Sequence, residues 1–294
     1  MIEYNSKVWF RHIVNFRRSD TFRVLLPEML IVGAYTAILT YIHDDYLDIK
    51  GEEDAFKSAT IVHSSLGFVL TLLLVFRTNS AYDRWWEGRK LWGALVNCSR
   101  NLAIKINALV PESNSEVREF FKRMIPNFSF ALKEHLRGEV RLDELEDVEG
   151  MVAKVTDKNQ KPNLLIQEMY RRSKQLVANQ EISSEEQLII DKELKSFADI
   201  MGGCERILKT PIPYSYNIFL KKFIFFYIAS VPIGFVAYFS YWAILPAMFV
   251  FYVLVSLEII AEEIEDPFGL DANDLPTQKI SATIRANVRE VFDN

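Results

Sequence analysis

Chemistry-bearing residues are scarce in this chain. Only two cysteines and four histidines occur in 294 residues. Cys98 and Cys204 lack a metal-ligand spacing and read as reduced, buried thiols. His12, His43, His63 and His135 are scattered, so a zinc site is not expected. No glycine-rich phosphate loop and no nucleophile elbow is present, which removes the usual sequence signals of nucleotide hydrolysis and acyl transfer. Positive charge is not in excess either: 34 Lys and Arg stand against 39 Asp and Glu, a net charge of −5. A general nucleic-acid-binding role is therefore excluded. The first twenty residues hold no long apolar run, so no cleavable signal peptide is expected.

What the chain has in abundance is apolar and aromatic surface. Hydrophobic residues make up 50 %, with 21 Phe and 12 Tyr. The mean hydropathy of +0.04 is nevertheless too low for a protein immersed wholly in lipid. A chain that is part membrane and part charged and soluble satisfies both numbers.

The stretch 60–109 joins the two parts. Residues 61–76 are apolar and long enough to cross a bilayer core. Leu91, Ala94, Leu95, Cys98, Leu102, Ile106 and Leu109 then follow at helical period among Arg, Lys and Asn. No proline interrupts the stretch, so one helix can run through it for roughly 75 Å. Its first half carries a small polar seam of Thr60, His63, Ser64, Ser65 and Gly67, as suits a helix that lines something polar inside a membrane. The alternative is a long buried helix in a soluble all-α protein.

Residues 1–23 form a basic, aromatic lead-in suited to the headgroup zone, and 24–46 form a first apolar span. An acidic loop through Asp48, Glu52, Glu53 and Asp54 leads to the second span, 59–76. Residues 77–218 read as a soluble helical region. Pro126 is expected to kink or break its helix there, and 138–162 reads as an acidic, solvated excursion. Ser183 to Gln187 offers a capping-box start, and Gly202-Gly203 suggests close helix contact. Two further apolar runs, 219–241 and 242–260, are joined too tightly for a domain between them and form a membrane hairpin. Residues 261–294 form an acidic segment ending in a short amphipathic helix.

Cations gather on one side of the spans, at the N-terminus, the 77–90 segment and Lys221-Lys222, whereas the 44–57 loop has only Lys50 and Lys57 and is net acidic. That loop lies opposite. Four spans with both termini in the cytoplasm satisfy every flank.

Three motifs in order now carry a resemblance. The run from Phe76 to Gly93 (FRTNSAYDRWWEGRKLWG) is similar to the signature of bacterial bestrophin homologues. Residues 262–269 (EEIEDPFG) resemble that family's acidic Pro-Phe-Gly segment after the last span, and 210–214 (TPIPY) its element before the third. The resemblance implies an all-α fold: four transmembrane helices plus a cytosolic helical bundle, assembled as a homopentamer around a central pore. It implies no enzyme but an ion channel in the cell's inner (plasma) membrane, whose partners are itself, the lipid bilayer and permeant ions, with no nucleic acid. Anions such as chloride are the best-known cargo of the family. Monovalent cations are the alternative, and a four-span scaffold or enzyme with a cytosolic helical domain is a further one.

The resemblance puts the neck of the pore on the second span. Two neighbouring faces are candidates there: Thr60, Ser64 and Phe68, or Ile61, Ser65 and Phe68. Large apolar rings are the family's habit at all three levels, whereas this chain has small hydroxyls at one or two. A lipid-facing or core role for these side chains is the alternative. Ile212, held between Pro211 and Pro213, is the candidate for a cytosolic constriction, against an ordinary linker at a span entrance. Eukaryotic members of the family clasp calcium. By motif, Asp271 and Asp274 would supply side-chain oxygens here, with carbonyls of Trp9, Glu263 and Asp266. Leu270, Ala272 and Asn273 interrupt the acidic run, so no cofactor is expected beyond that calcium.

Overall fold

The computed structural model describes residues 21–46, 53–138, 141, 143–156 and 160–293, and no strand occurs among them. Among the described residues nine α-helices follow in order: α1 (Thr21–Tyr41), α2 (Glu53–Leu109), α3 (Ser115–Arg137), α4 (Met151–Thr156), α5 (Lys161–Ala178), α6 (Ser184–Lys209), α7 (Tyr214–Phe239), α8 (Ile244–Glu265) and α9 (Thr277–Asp293). Two compact units are built from them. One holds residues 84–210 with 266–293, and the other the described residues up to 83 with 211–265. Helix α2 contributes to both.

The first unit is a helical bundle whose core draws Leu95, Leu102 and Ile106 from α2, Phe121 and Phe128 from α3, Leu194 and Phe197 from α6, and Ile284 and Val288 from α9. The rings of Phe128 and Phe197 meet edge to face with centroids 4.7 Å apart. Each buried aromatic or Leu side chain of this kind contributes about 1.5–3 kcal/mol. Helix α3 starts at Asn114, whose side chain accepts the Val117 amide at 3.2 Å. It stops at Gly138, whose φ of 68° suits a left-handed cap. Of the two outcomes expected at Pro126, a kink or a break, the break does not occur. The helix continues through that position, and Ser129 Oγ donates to the Pro126 carbonyl at 2.8 Å.

A correction concerns the acidic excursion after Gly138. Glu144 pairs with buried Lys133, Glu146 pairs with Arg289 at 2.6 Å, and Val148 and Met151 are buried. Cationic side chains of α3 and α9 hold this segment, and it is not merely solvated. Sequence spacing gave no view of those partners. The capping box does form: Glu186 N donates to Ser183 Oγ at 3.1 Å, and Ser183 N to Glu186 Oε2 at 2.7 Å. Of the paired glycines only Gly203 is close-packed, since a Cβ there would meet Leu91 at 2.9 Å, while at Gly202 it would meet open space.

The second unit is built on α1, α7, α8 and the first half of α2. Three helical stretches of the described chain are long and apolar enough to cross a membrane: Thr21–Asp44, Ile61–Leu109 and Tyr214–Glu265. The third contains α7 and α8 with a tight 3-10 turn between them. The chain doubles back at that turn, because Lys221 near the start of α7 meets Glu262 near the end of α8 at 3.0 Å. Helix α1 lies against α8, with Thr21 Oγ1 2.9 Å from Ser256 Oγ. Gly33 allows that approach, since a Cβ there would meet Met248 Sδ at 3.0 Å.

Candidate ion pathway

Helix α2 has two unlike sides between residues 61 and 77. Leu70, Leu74 and Arg77 are buried, and the two leucines pack on Leu220, Ile224 and Ile228 of α7. His63 stacks on Tyr227 with ring centroids 4.2 Å apart and lies 3.2 Å from Ser230 Oγ. A Cβ on Gly67 would come within 2.5 Å of the Tyr227 hydroxyl, so a larger residue there would displace that ring. The opposite side is uncovered in the chain. Ile61 is 69 % and Phe68 72 % exposed, with Ser64 and Ser65 exposed between them. Trp9 and the side chain of Thr60 lie outside the described residues.

Hydroxyls on this helix cost little in an apolar setting, because they are satisfied locally. Ser65 Oγ donates to the Ile61 carbonyl at 3.0 Å and Thr71 Oγ1 to the Gly67 carbonyl at 2.8 Å. Phe68 does not pack inside its own chain.

Immediately after the apolar run, Arg77 is 1 % exposed. Its Nη2 donates to Glu265 Oε2 at 2.7 Å, and its Nε is 3.8 Å from Glu258. Glu265 Oε1 accepts the amide of Ile212 at 2.8 Å. Thus the half-buried Ile212 is fixed by the flanking prolines and by a carboxylate from α8. Sequence reading missed this link. The signal was present: Glu258, Glu262 and Glu265 share one helix face at i, i+4 and i+7.

Parts of all three motifs also meet in the bundle unit. Arg84 donates to the carbonyls of Thr210 at 2.5 Å and Ile207 at 2.6 Å, closing the C-terminal turn of α6. Trp85 Nε1 donates to the Asn273 carbonyl at 2.9 Å. Gly88 lies under the loop, where a Cβ would meet Pro267, Phe268 and Leu275 at 3.2 Å. Arg137 adds two more holds, to the Phe268 carbonyl at 3.2 Å and to Thr277 Oγ1 at 3.0 Å.

That loop carries two of the residues expected to hold calcium, Asp271 and Asp274. Asp271 is exposed, whereas Asp274 is buried and its Oδ2 accepts the Asp271 amide at 2.6 Å. The guanidinium of Arg137 already brings a positive charge to the loop's backbone. Among the described residues no three His, Cys, Asp or Glu side chains converge as a metal site. Glu263 lies within α8, apart from this loop in the chain.

Both cysteines are buried in the bundle. Burial pushes the Cys98 thiol up to about 12, with the Glu193 carboxylate adding to the effect. The Cys204 thiol is likewise pushed up to about 12 by burial and by Glu87.

Known proteins bear on this arrangement. The family model described as bacterial/fungal bestrophin protein matches residues 1–290. A voltage-dependent anion channel-forming protein of Nostoc sp. is 39 % identical over 228 residues, 76 % of this chain and 74 % of that protein. One of Ralstonia nicotianae is 30 % identical over 291 residues, covering 97 % of this chain and 92 % of the relative. The crystal structure of a bacterial bestrophin homologue from Klebsiella pneumoniae is similar with a TM-score of 0.81 and 26 % identity, covering 92 % of this chain and 99 % of that one. The chain is a membrane protein, and it belongs to the bacterial and fungal bestrophin family.

Proposed function

We propose that the chain forms a homopentameric channel for small inorganic anions, with the neck of its pore lined by α2. The observation that carries this reading is the two-sidedness of α2. One side is buried on α7, and the other presents Ile61, Ser64, Ser65 and Phe68 uncovered, with the two hydroxyls between the large apolar side chains. A single helix cannot enclose a path, so the uncovered side needs copies of itself. The names of the Nostoc and Ralstonia relatives support conduction of anions. In this reading the chain is not an enzyme and crosses the inner membrane four times with both termini in the cytoplasm.

Ions crossing the neck shed part of their water at the Phe68 ring and regain polar contact at the hydroxyl levels. Ile212 forms a second constriction at the cytosolic exit, positioned by Pro211, Pro213 and the Glu265 carboxylate. Calcium held by Asp271 and Asp274 would add to the hold that Arg137 and Trp85 already give their loop.

Purified protein in a planar bilayer under a salt gradient tests the reading. Unitary currents reversing near the chloride equilibrium potential are expected. Reversal near the cation potential would assign cation selectivity to the same fold, and silence across several salts would leave a scaffold or enzyme.

A further inference from the structure

A groove of about 700 Å³ runs along the membrane unit between α1, α7 and α8. Its walls are apolar, formed by side chains such as Ile31, Val32, Ile224, Ile228, Phe251 and Val255. One end is charged instead, lined by Glu28, Lys221, Glu258 and Glu262. From Lys221 to Ala229 the groove follows α7 for about 12 Å.

Glu258 is the unexplained member. It is 5 % exposed, and neither of its carboxylate oxygens has a hydrogen-bond partner. The nearest cation, Nε of Arg77, stands off at 3.8 Å, and Arg77 gives its short contact to Glu265. Lys221 is engaged by Glu262, at 3.0 and 3.1 Å from its two oxygens. A buried carboxylate without a donor is costly, and a ligand that brings N–H groups removes the cost. Three carboxylates line the mouth against one ammonium, and the one guanidinium behind them, Arg77, is shared between Glu258 and Glu265. The excess of negative charge favours a cationic group, and the walls below it suit a hydrocarbon chain.

We propose that this groove binds an ethanolamine phospholipid of the surrounding bilayer, its ammonium donating to Glu258, its phosphate meeting Lys221 and one acyl chain filling the apolar length. A choline headgroup carries no N–H, and a glycerol headgroup carries no positive charge. A second copy of the chain is a poorer occupant. The uncovered face of α2 from Ile61 to Phe76 holds no lysine or arginine, so docking it here would bring the Glu258 oxygens no charged hydrogen-bond donor. The inference stands apart from conduction.

The test is native mass spectrometry of the intact assembly, extracted into micelles holding equimolar phosphatidylethanolamine, phosphatidylcholine and phosphatidylglycerol. Ethanolamine-lipid adducts should exceed choline-lipid adducts by about tenfold, as a charge-assisted hydrogen bond gives. Glu258→Gln should abolish that preference. Ala229→Phe, set in the apolar length, should remove the adducts while helicity is retained. Equal retention of the three lipids would overturn the proposal, as would an unchanged preference in Glu258→Gln. A wild type with no adducts, whose Ala229→Phe variant forms a smaller assembly, would assign the groove to a second copy. Should Glu258→Gln fail to fold, undiminished adducts in Ala229→Phe would still sink it.

Discussion

Arg77 and Ile212 are held to the same carboxylate. Glu265 accepts the Arg77 guanidinium on one oxygen at 2.7 Å and the Ile212 amide on the other at 2.8 Å. Arg77 is almost fully buried, so removing its charge leaves Glu258 and Glu265 facing each other without compensation. Arg77→Gln should therefore destabilise the protein by about 3–5 kcal/mol. Thermal unfolding in mild detergent reads this directly, and a midpoint within error of wild type would show that the cluster is not held by its arginine.

Ile212→Ala should leave that anchor intact, since the backbone amide is untouched. If Ile212 narrows the exit, the substitution raises single-channel conductance or alters selectivity while the assembly keeps its mass. Currents indistinguishable from wild type would leave this segment an ordinary linker.

Phe68→Ala is the sharper test of the neck. A phenylalanine packed in a core would cost about 3–5 kcal/mol on truncation. Phe68 is 72 % exposed in its chain, so folding of the chain should be nearly unaffected. Open probability or conductance should rise, because a wider and less apolar constriction dewets less readily. Ser64→Leu or Ser65→Leu, whichever faces the axis, should lower them. Lost oligomer mass with normal currents in Phe68→Ala would move the pore to another face of α2.

Acid should weaken the bundle unit, and the sign follows from two carboxylates. Burial alone would raise Glu205, but hydrogen bonds from His135 and Lys209 outweigh it and hold the group below the usual range. At Glu144 burial is likewise outweighed, by Lys133 and Gln278. A depressed native pKa gives stability that is present above the unfolded value and lost as pH falls through the folded one. Unfolding midpoints should thus begin to drop near about pH 4.3 and continue below it. The double variant Glu144→Gln, Glu205→Gln should show a flatter decline, and an identical decline would assign acid sensitivity to other groups.

Cys98 and Cys204 should resist alkylation in the native protein. With both thiols pushed up to about 12, almost no thiolate exists at neutral pH, and burial blocks access. Iodoacetamide should modify neither until denaturant is added. Native labelling of either would mean that the bundle opens locally.

Helix α2 was legible in the sequence because nothing in it competes with helix: an apolar run, then a 3.6-period stripe, without proline. The same holds for the Ser183 capping box, whose two hydrogen bonds are local. At Pro126 the local rule left a kink and a break both open, and the break is avoided because tertiary burial carries the proline ring inside a packed helix. The docking of Glu144 and Glu146 was hidden for a related reason. Their partners Lys133, Arg285 and Arg289 come from other helices, and only the fold brings them within reach. Glu265 was read as one acid in a cluster, since spacing marks a shared helix face but not what lies opposite it.

The order of the elements has a consequence for synthesis. The membrane hairpin 211–265 interrupts the bundle unit, and α9 follows it in the chain. Ile284 and Val288 of α9 belong to the bundle's core, and Asn107 of α2 donates to the carbonyl of Val291 at 2.9 Å. The bundle therefore cannot close when its first 127 residues, 84–210, have left the ribosome. It must wait, with part of its core on α3 bare, until the hairpin has been made and inserted. A nascent chain halted after residue 265 would carry finished spans and an unsealed bundle, the state in which a holding chaperone would find it.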